Sequence, residues 1–211
     1  MNKEYAQRIN AKREYYSKGK RGLIYTASYD GKKYAIKIKN DESKAPNTIR
    51  REYENNLILN KIGIGPKVFY YDEEEDFVVR EFVDGEEFFE WVDDAKKDEI
   101  KKFFEELLMQ CYKMDDIKLN KLEMNHPHKD LLVQDNKPII IDFERCKVTM
   151  KPKNVTQVAQ FITSKSVKEK IECKNIIFNR DKILELAEEY KKNEDKREKT
   201  FQEIIKNIKN S

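Results

Sequence analysis

Cysteine is scarce in this sequence and falls into no pairs. Cys111, Cys146 and Cys173 are odd in number and far apart, with no C-x-x-C spacing. That excludes a disulfide scaffold and a cysteine-based zinc site. Reduced thiols in a cytoplasmic protein are the expectation. Long apolar runs are missing too: no segment approaches the roughly 20 residues that a membrane span requires. Met1-Asn2-Lys3-Glu4-Tyr5 leads into a charged stretch, so no signal peptide is expected. Neither sign of charge dominates. The 43 basic and 40 acidic side chains leave a net charge of +3, which calls for no nucleic-acid partner. A surface laced with ion pairs accounts for such a balance. His126 and His128 have no cysteine near them and read as polar loop residues rather than zinc ligands. No internal repeat is visible.

What is present is organised. A length of 211 residues suits one domain or two small lobes. The apolar supply is thin, 38% against 39% charged, but it clusters in strand-like runs that can build a core. Residues 1–16 read as a charged, tyrosine-rich arm or short helix. Leu23–Ala27 and Lys33–Ile38 read as a hairpin around Asp30-Gly31. A helix is expected from Asn47 to Lys61, stopped by Gly63 and Gly65-Pro66. Lys67–Tyr71 and Phe77–Phe82 read as two further strands. Beyond Val83-Asp84-Gly85 the pattern turns helical, with Ile100, Phe103, Phe104, Leu107, Leu108 and Cys111 at helical spacing. Leu131–Val133 and Pro138–Asp142 read as a second hairpin turning at Asp135-Asn136. Residues 154–210 read as helical.

Several residues along this plan carry chemistry. Pro138-Ile139-Ile140-Ile141-Asp142-Phe143-Glu144 is a buried strand that presents a carboxylate at its tip. Such an oxygen suits a hard cation. Tyr34-Ala35-Ile36-Lys37-Ile38-Lys39 offers a cation on a strand, although alternation puts Lys33, Ala35, Lys37 and Lys39 on one face and leaves a solvent-facing Lys37 open. Ser17-Lys18-Gly19-Lys20-Arg21-Gly22-Leu23-Ile24 is a glycine-containing turn whose backbone N–H groups could meet phosphate oxygens. Glu52 and Glu54 both lie early in the helix that follows.

The loop, lysine, helix and aspartate arrive in the order of a protein kinase. The glycine turn resembles G-x-G-x-x-G-x-V, with Ser17 for the first glycine and Ile24 for the valine. Ala35-Ile36-Lys37 resembles V-A-I-K, and Asp142-Phe143-Glu144 resembles D-F-G without its glycine. The likeness spans about residues 17–165. Within kinases it is to the predicted archaeal Ser/Thr kinases related to the RIO kinases and the small KEOPS-complex kinase. Arg51-Glu52, the segment Glu123-Met124-Asn125-His126-Pro127-His128-Lys129-Asp130 and the Ile-Asp-Phe-Glu-Arg ending carry it.

The resemblance implies an α+β, minimal two-lobed protein-kinase-like fold: an arm or helix at 1–16, a β-rich N-lobe at 17–84 and a reduced helical C-lobe at 85–211. It implies ATP as cofactor, bound between the lobes near Gly19, Gly22, Ile24 and Ala35. Backbone groups at Glu81 to Val83 would meet the adenine. Lys37, oriented by Glu52, would contact the phosphates, and Asp142 and Asp130 would hold Mg²⁺. Asn125 stands where the catalytic aspartate is expected, and an amide cannot accept a substrate proton. Glu123, His126, His128 or Lys129 remain candidates for that task.

The implied activity is phosphoryl transfer to a Ser/Thr hydroxyl of an unknown protein substrate. An ATP-binding pseudokinase acting as an interaction module is the alternative, and a small-molecule kinase is another, because the chain lacks a long activation segment. An RNA or ribosome association, drawn from the basic arm and the tail Lys191 to Lys209, has weaker support, since Glu194, Asp195, Glu198 and Glu203 interrupt the tail.

Overall fold

The computed structural model describes residues 1–19 and 21–211. The chain is a mixed α+β protein that divides into two compact units. One comprises Met1–Asp84 and Ile139–Arg145, the other Gly85–Pro138 and Cys146–Ser211. The boundary after Asp84 is where the expected division put it, but residues 1–16 belong to the first unit and residues 139–145 return to it instead of continuing the second. The reason is local. Phe143 is fully buried there, and its carbonyl accepts a 2.7 Å hydrogen bond from Asn55 Nδ2.

The first unit is a five-stranded antiparallel sheet with a helix on each face. Its elements are α1 (Lys3–Ala11), β1 (Glu14–Lys18), β2 (Gly22–Tyr29), β3 (Lys32–Lys39), α2 (Thr48–Asn60), β4 (Val68–Asp72) and β5 (Phe77–Glu81). The spatial order is β1-β2-β3-β5-β4. Asp30 and Gly31 both take positive φ, 49° and 69°, as a two-residue hairpin turn demands.

Alternation then assigns the two faces. Ala27, Tyr34, Ile36, Phe77 and Val79 form one, and Ala6 and Ile9 of α1 bury it. Each large apolar side chain sealed in this way contributes ~1.5–3 kcal/mol. The stretch read as an arm or short helix thus holds the short helix α1, which covers one face of the sheet. The strand β1 was not foreseen, because its side chains are mostly exposed and show no alternation. The opposite face carries Val68 and Val78, packed on Ile49 of α2. That face continues along the sheet to Ile24, Ala35 and Lys37. Asn60 fixes the end of α2, donating to the carbonyls of Ile64 and Pro66 at 3.1 Å each and accepting from Val68 N at 2.9 Å.

The second unit holds β6 (Glu86–Glu87), α3 (Phe88–Asp94), α4 (Lys97–Asp116), β7 (Leu119–Asn120), β8 (Leu131–Gln134), β9 (Lys137–Ile140), β10 (Lys147–Val148), α5 (Asn154–Ile162), α6 (Lys165–Glu172), α7 (Arg180–Lys192) and α8 (Arg197–Lys209). The last two residues of β9 are those that pass to the first unit. The periodic face of α4 is buried as its spacing predicts, from Ile100 to Cys111 and on to Met114. Phe88 stacks on Phe103 at 5.3 Å and meets Phe161 edge-on at 5.4 Å. Asp135 and Asn136 make the β8–β9 turn with φ of 52° and 60°. No helix among the described residues is long and apolar enough to cross a membrane.

Candidate functional site

Three side chains singled out from the sequence meet in the first unit. Lys37 lies mid-strand on β3, opposite Ile24 of β2 and Val78 of β5. It does not face solvent, being only 6% exposed. Its Nζ donates to Glu52 Oε2 and, at 3.1 Å, to Asp142 Oδ1. The carboxylate beside Lys37 is thus that of Glu52, which is fully buried. Glu54 points away and pairs with Arg50 on the exposed surface of α2. Burial opposes a charge on Lys37, but the carboxylates of Glu52 and Asp142 more than offset it and raise the pKa. Lys37 is therefore a cation throughout the physiological range.

Asp142 lies two residues beyond β9, not within it, and takes a φ of 60°. A left-handed conformation at a non-glycine residue costs about 1–3 kcal/mol, and Asp is among the side chains that bear it best. Phe143 anchors the strained turn. Its ring fills the space beside Gly65, where a Cβ would stand 2.5 Å from Cε2. Asp142 is left half-buried, with its side chain 38% exposed beside Lys37.

Glu144 adds a third carboxylate, one that sequence reasoning treated only as the missing glycine. It is buried, bonds to Arg21 Nη1 and lies 3.8 Å from Lys37 Nζ through Oε2. Ligand oxygens of Glu52, Asp142 and Glu144 all fall within 4.8 Å of one another. Among the described residues this is the one group of three or more potential metal ligands. Glu52 Oε1 and Glu144 Oε2 are buried without a hydrogen-bond partner. Carboxylate oxygens are hard ligands of the kind Mg²⁺ takes, and the Lys37 ammonium, within 3.8 Å of an oxygen of each of the three, already sits among them.

The glycine turn does two different things. Gly19 N donates to Gly22 O at 2.8 Å and closes the loop. Gly22 makes room for the lysine, since a Cβ there would stand 2.7 Å from Lys37 Cε. Lys20 of this turn lies outside the described residues. Ile24 and Ala35 share the face of Lys37, as the register of β2 with β3 requires. At the end of β5, Glu81 N donates to the Lys67 carbonyl at 2.8 Å, and Val83 follows half-buried.

Asn125 and Asp130 belong to the second unit. Asp130 Oδ2 accepts from Lys121 Nζ at 2.7 Å. Lys121 is 2% exposed and was missed by sequence reasoning, because it sits outside every motif. Its backbone N–H donates to Asn154 Oδ1 at 2.8 Å, which holds the lysine in place. Asn125 is half-buried and Glu123 takes a φ of 68°. His128 stacks on Phe89 at 5.1 Å, in keeping with its reading as a polar loop residue.

A comparison with protein-family models finds no match, and neither does a comparison with curated proteins.

Proposed function

We propose that the chain is a minimal, two-lobed protein-kinase-like phosphotransferase that uses Mg-bound nucleoside triphosphate, with ATP as the reference ligand. The observation that carries this reading is the buried Lys37–Glu52 pair with Asp142 at its open end. Glu52 and Asp142 keep Lys37 protonated and aimed where a phosphate oxygen would replace part of its contact with Asp142. Ile24 and Ala35 would cover the base, and backbone groups from Glu81 to Val83 would line its edge. Asp142, with Glu144 beside it, would hold Mg²⁺, whose charge offsets that of the β- and γ-phosphates. The residues' own contribution is positioning and fixed charge, which is most of what phosphoryl transfer requires. A Ser/Thr hydroxyl of a protein is the proposed acceptor.

A second reading is a nucleotide-binding module without turnover. Two observations favour it. Asn125 supplies an amide where a base is needed, and Asp130 is already bonded to Lys121. One experiment separates the two. The full chain is incubated with Mg²⁺ and γ-labelled ATP, beside Lys37→Ala and Asp142→Asn. Label transfer by wild type, lost at least about 100-fold in both variants, supports the enzyme. Nucleotide binding by wild type alone, without transfer, supports the module. Equal binding in all three rejects the site.

A further inference from the structure

Two arginines reach the carboxylates around Lys37, and they are placed differently. Arg80 is buried at Glu52, and its Nε and Nη1 have no hydrogen-bond partner. Nη1 stands 3.8 Å from Glu52 Oε1, too far for a hydrogen bond, so Arg80 serves the buried pair by its charge. Arg21 belongs to the glycine turn and keeps 30% of its side chain exposed. Its Nη1 bonds to Oε1 of the buried Glu144. The other oxygen of that carboxylate, Oε2, has no hydrogen-bond partner and stands 3.8 Å from Lys37 Nζ. Arg21 and Lys37 thus flank one buried carboxylate, and Arg21 is the cation of the two that reaches solvent. Its backbone is fixed. The Arg21 carbonyl accepts from Asn40 N at 3.1 Å, and Gly19 N closes the loop onto Gly22 O at 2.8 Å. The side chain can therefore turn while the loop stays in place.

We propose that Arg21 is a phosphate-binding residue of this site, held by Glu144 until a polyphosphate takes the carboxylate's place. The inference rests on the nucleotide reading and deepens it. A guanidinium presents its donors in a planar fork that fits a phosphate as well as a carboxylate. Gly22, the next residue, lies against the Lys37 stem, where a Cβ would stand 2.7 Å from Cε, so Arg21 enters from beside the lysine. Phosphates that meet Lys37 therefore arrive next to a second cation already seated on a neighbouring carboxylate. A triphosphate carries more negative charge than one lysine can match, which favours drawing Arg21 across. The exchange does not strand Glu144, because Lys37 still stands 3.8 Å from its Oε2.

Titration of metal-free tripolyphosphate and of Mg-ATP into the full chain tests this. The variants are Arg21→Gln, Arg21→Lys, Glu144→Gln and the double variant Arg21→Gln with Glu144→Gln. Arg21→Gln should weaken tripolyphosphate about tenfold or more, as loss of a charge-assisted contact does. Arg21→Lys should recover part of that loss, because it restores the charge but not the fork. Glu144→Gln should bind tripolyphosphate tighter than wild type, since the competing carboxylate charge is gone, and the gain should vanish in the double variant. If Glu144→Gln fails to fold, the two Arg21 variants decide. Tripolyphosphate bound equally by wild type and Arg21→Gln overturns the inference and leaves the nucleotide reading intact. So does a wild type that binds Mg-ATP but takes up no tripolyphosphate. A gain from Glu144→Gln that persists without Arg21 also overturns it and assigns the gain to Lys37. Wild type that binds neither ligand overturns both.

Discussion

Gly22 and Lys37 compete for one volume. A Cβ on Gly22 would stand 2.7 Å from Lys37 Cε, 3.0 Å from its Cγ and 3.2 Å from the Ile38 carbonyl. The lysine stem can lie against β2 at Gly22, two residues from the facing Ile24, only because Gly22 has no side chain. Gly22 carries no positive φ, so alanine is acceptable to its backbone and the cost of Gly22→Ala is steric. The lysine stem must move, and with it Nζ. A loss of ~1–3 kcal/mol in denaturant unfolding is expected. Mg-nucleotide affinity should fall more steeply than stability does, as titration calorimetry at a temperature well below unfolding would show. Unchanged affinity in a folded Gly22→Ala protein would remove Lys37 from the ligand's reach.

The charge on Lys37 links stability to alkaline pH. Burial works against the protonated amine, but Glu52 and Asp142 raise its pKa above the ordinary value of 10.5. A group whose folded pKa is raised contributes stability that is complete below its unfolded pKa and is lost as pH rises through the folded one. The wild-type denaturation midpoint should therefore hold from neutral pH to about 10.5 and decline above it. Lys37→Met should lower stability by ~3 kcal/mol at neutral pH, since it strands the buried Glu52 carboxylate. It should also flatten that alkaline decline. Parallel alkaline slopes in the two proteins would show that Lys37 does not titrate with unfolding.

Much of this site was legible in the sequence, and the reasons differ by residue. Lys37 and Asp142 stood out because strand patterns surround them and because they follow the glycine turn and helix in a known order. Glu52 could not be separated from Glu54 by spacing, and only the packing of α2 on the sheet brings one of them to the lysine. The mixed α+β class was readable from alternation in β2 to β5 and from helical spacing in α4. By contrast, β1 shows no alternation, because its side chains are mostly exposed. The unmet donors of Arg80, the third carboxylate of Glu144 and the Lys121–Asp130 bond are products of side-chain geometry. No local pattern announces them. The left-handed backbone of Asp142 is equally silent, since aspartate occurs in many conformations.

The turn at Asp142 should depend on a residue far from it in the chain. Gly65 has a φ of 74°, and a Cβ there would meet the Phe143 ring at 2.5 Å and the Asn56 side chain at 3.2 Å. Gly65→Ala therefore combines backbone strain with a steric push on Phe143. About 2–4 kcal/mol of destabilisation is expected. Gly63 has a similar φ of 75° but open space around it, so Gly63→Ala should cost only the backbone share, about 1 kcal/mol. Comparing the two variants by denaturant unfolding isolates the contact with Phe143. Equal losses would mean that the ring yields freely.

Asp115 provides the corresponding test in the second unit. Its Oδ1 accepts from Asn154 N at 2.9 Å and Asn154 Nδ2 at 2.7 Å, and its Oδ2 from Val155 N at 3.2 Å and Tyr190 Oη at 3.0 Å. One carboxylate at the end of α4 thus caps the start of α5 and ties in α7. Burial raises its pKa, while the N–H groups of Asn154 and Val155 resist the shift without cancelling it. By the same linkage, the favourable share is complete below the ordinary carboxylate value of 3.8 and is lost as pH rises through the folded pKa. Asp115→Asn removes that titration but turns an acceptor into a donor facing donors. Two contacts fail, at ~1–3 kcal/mol each for a buried group left unmet. The variant should lose about 2–5 kcal/mol at pH 7. Its deficit should be larger at mildly acidic pH, where wild type gains from protonation and the variant does not. A deficit that shrinks as pH falls from 7 towards 4 would show that ionised Asp115 is the favoured form in the folded protein.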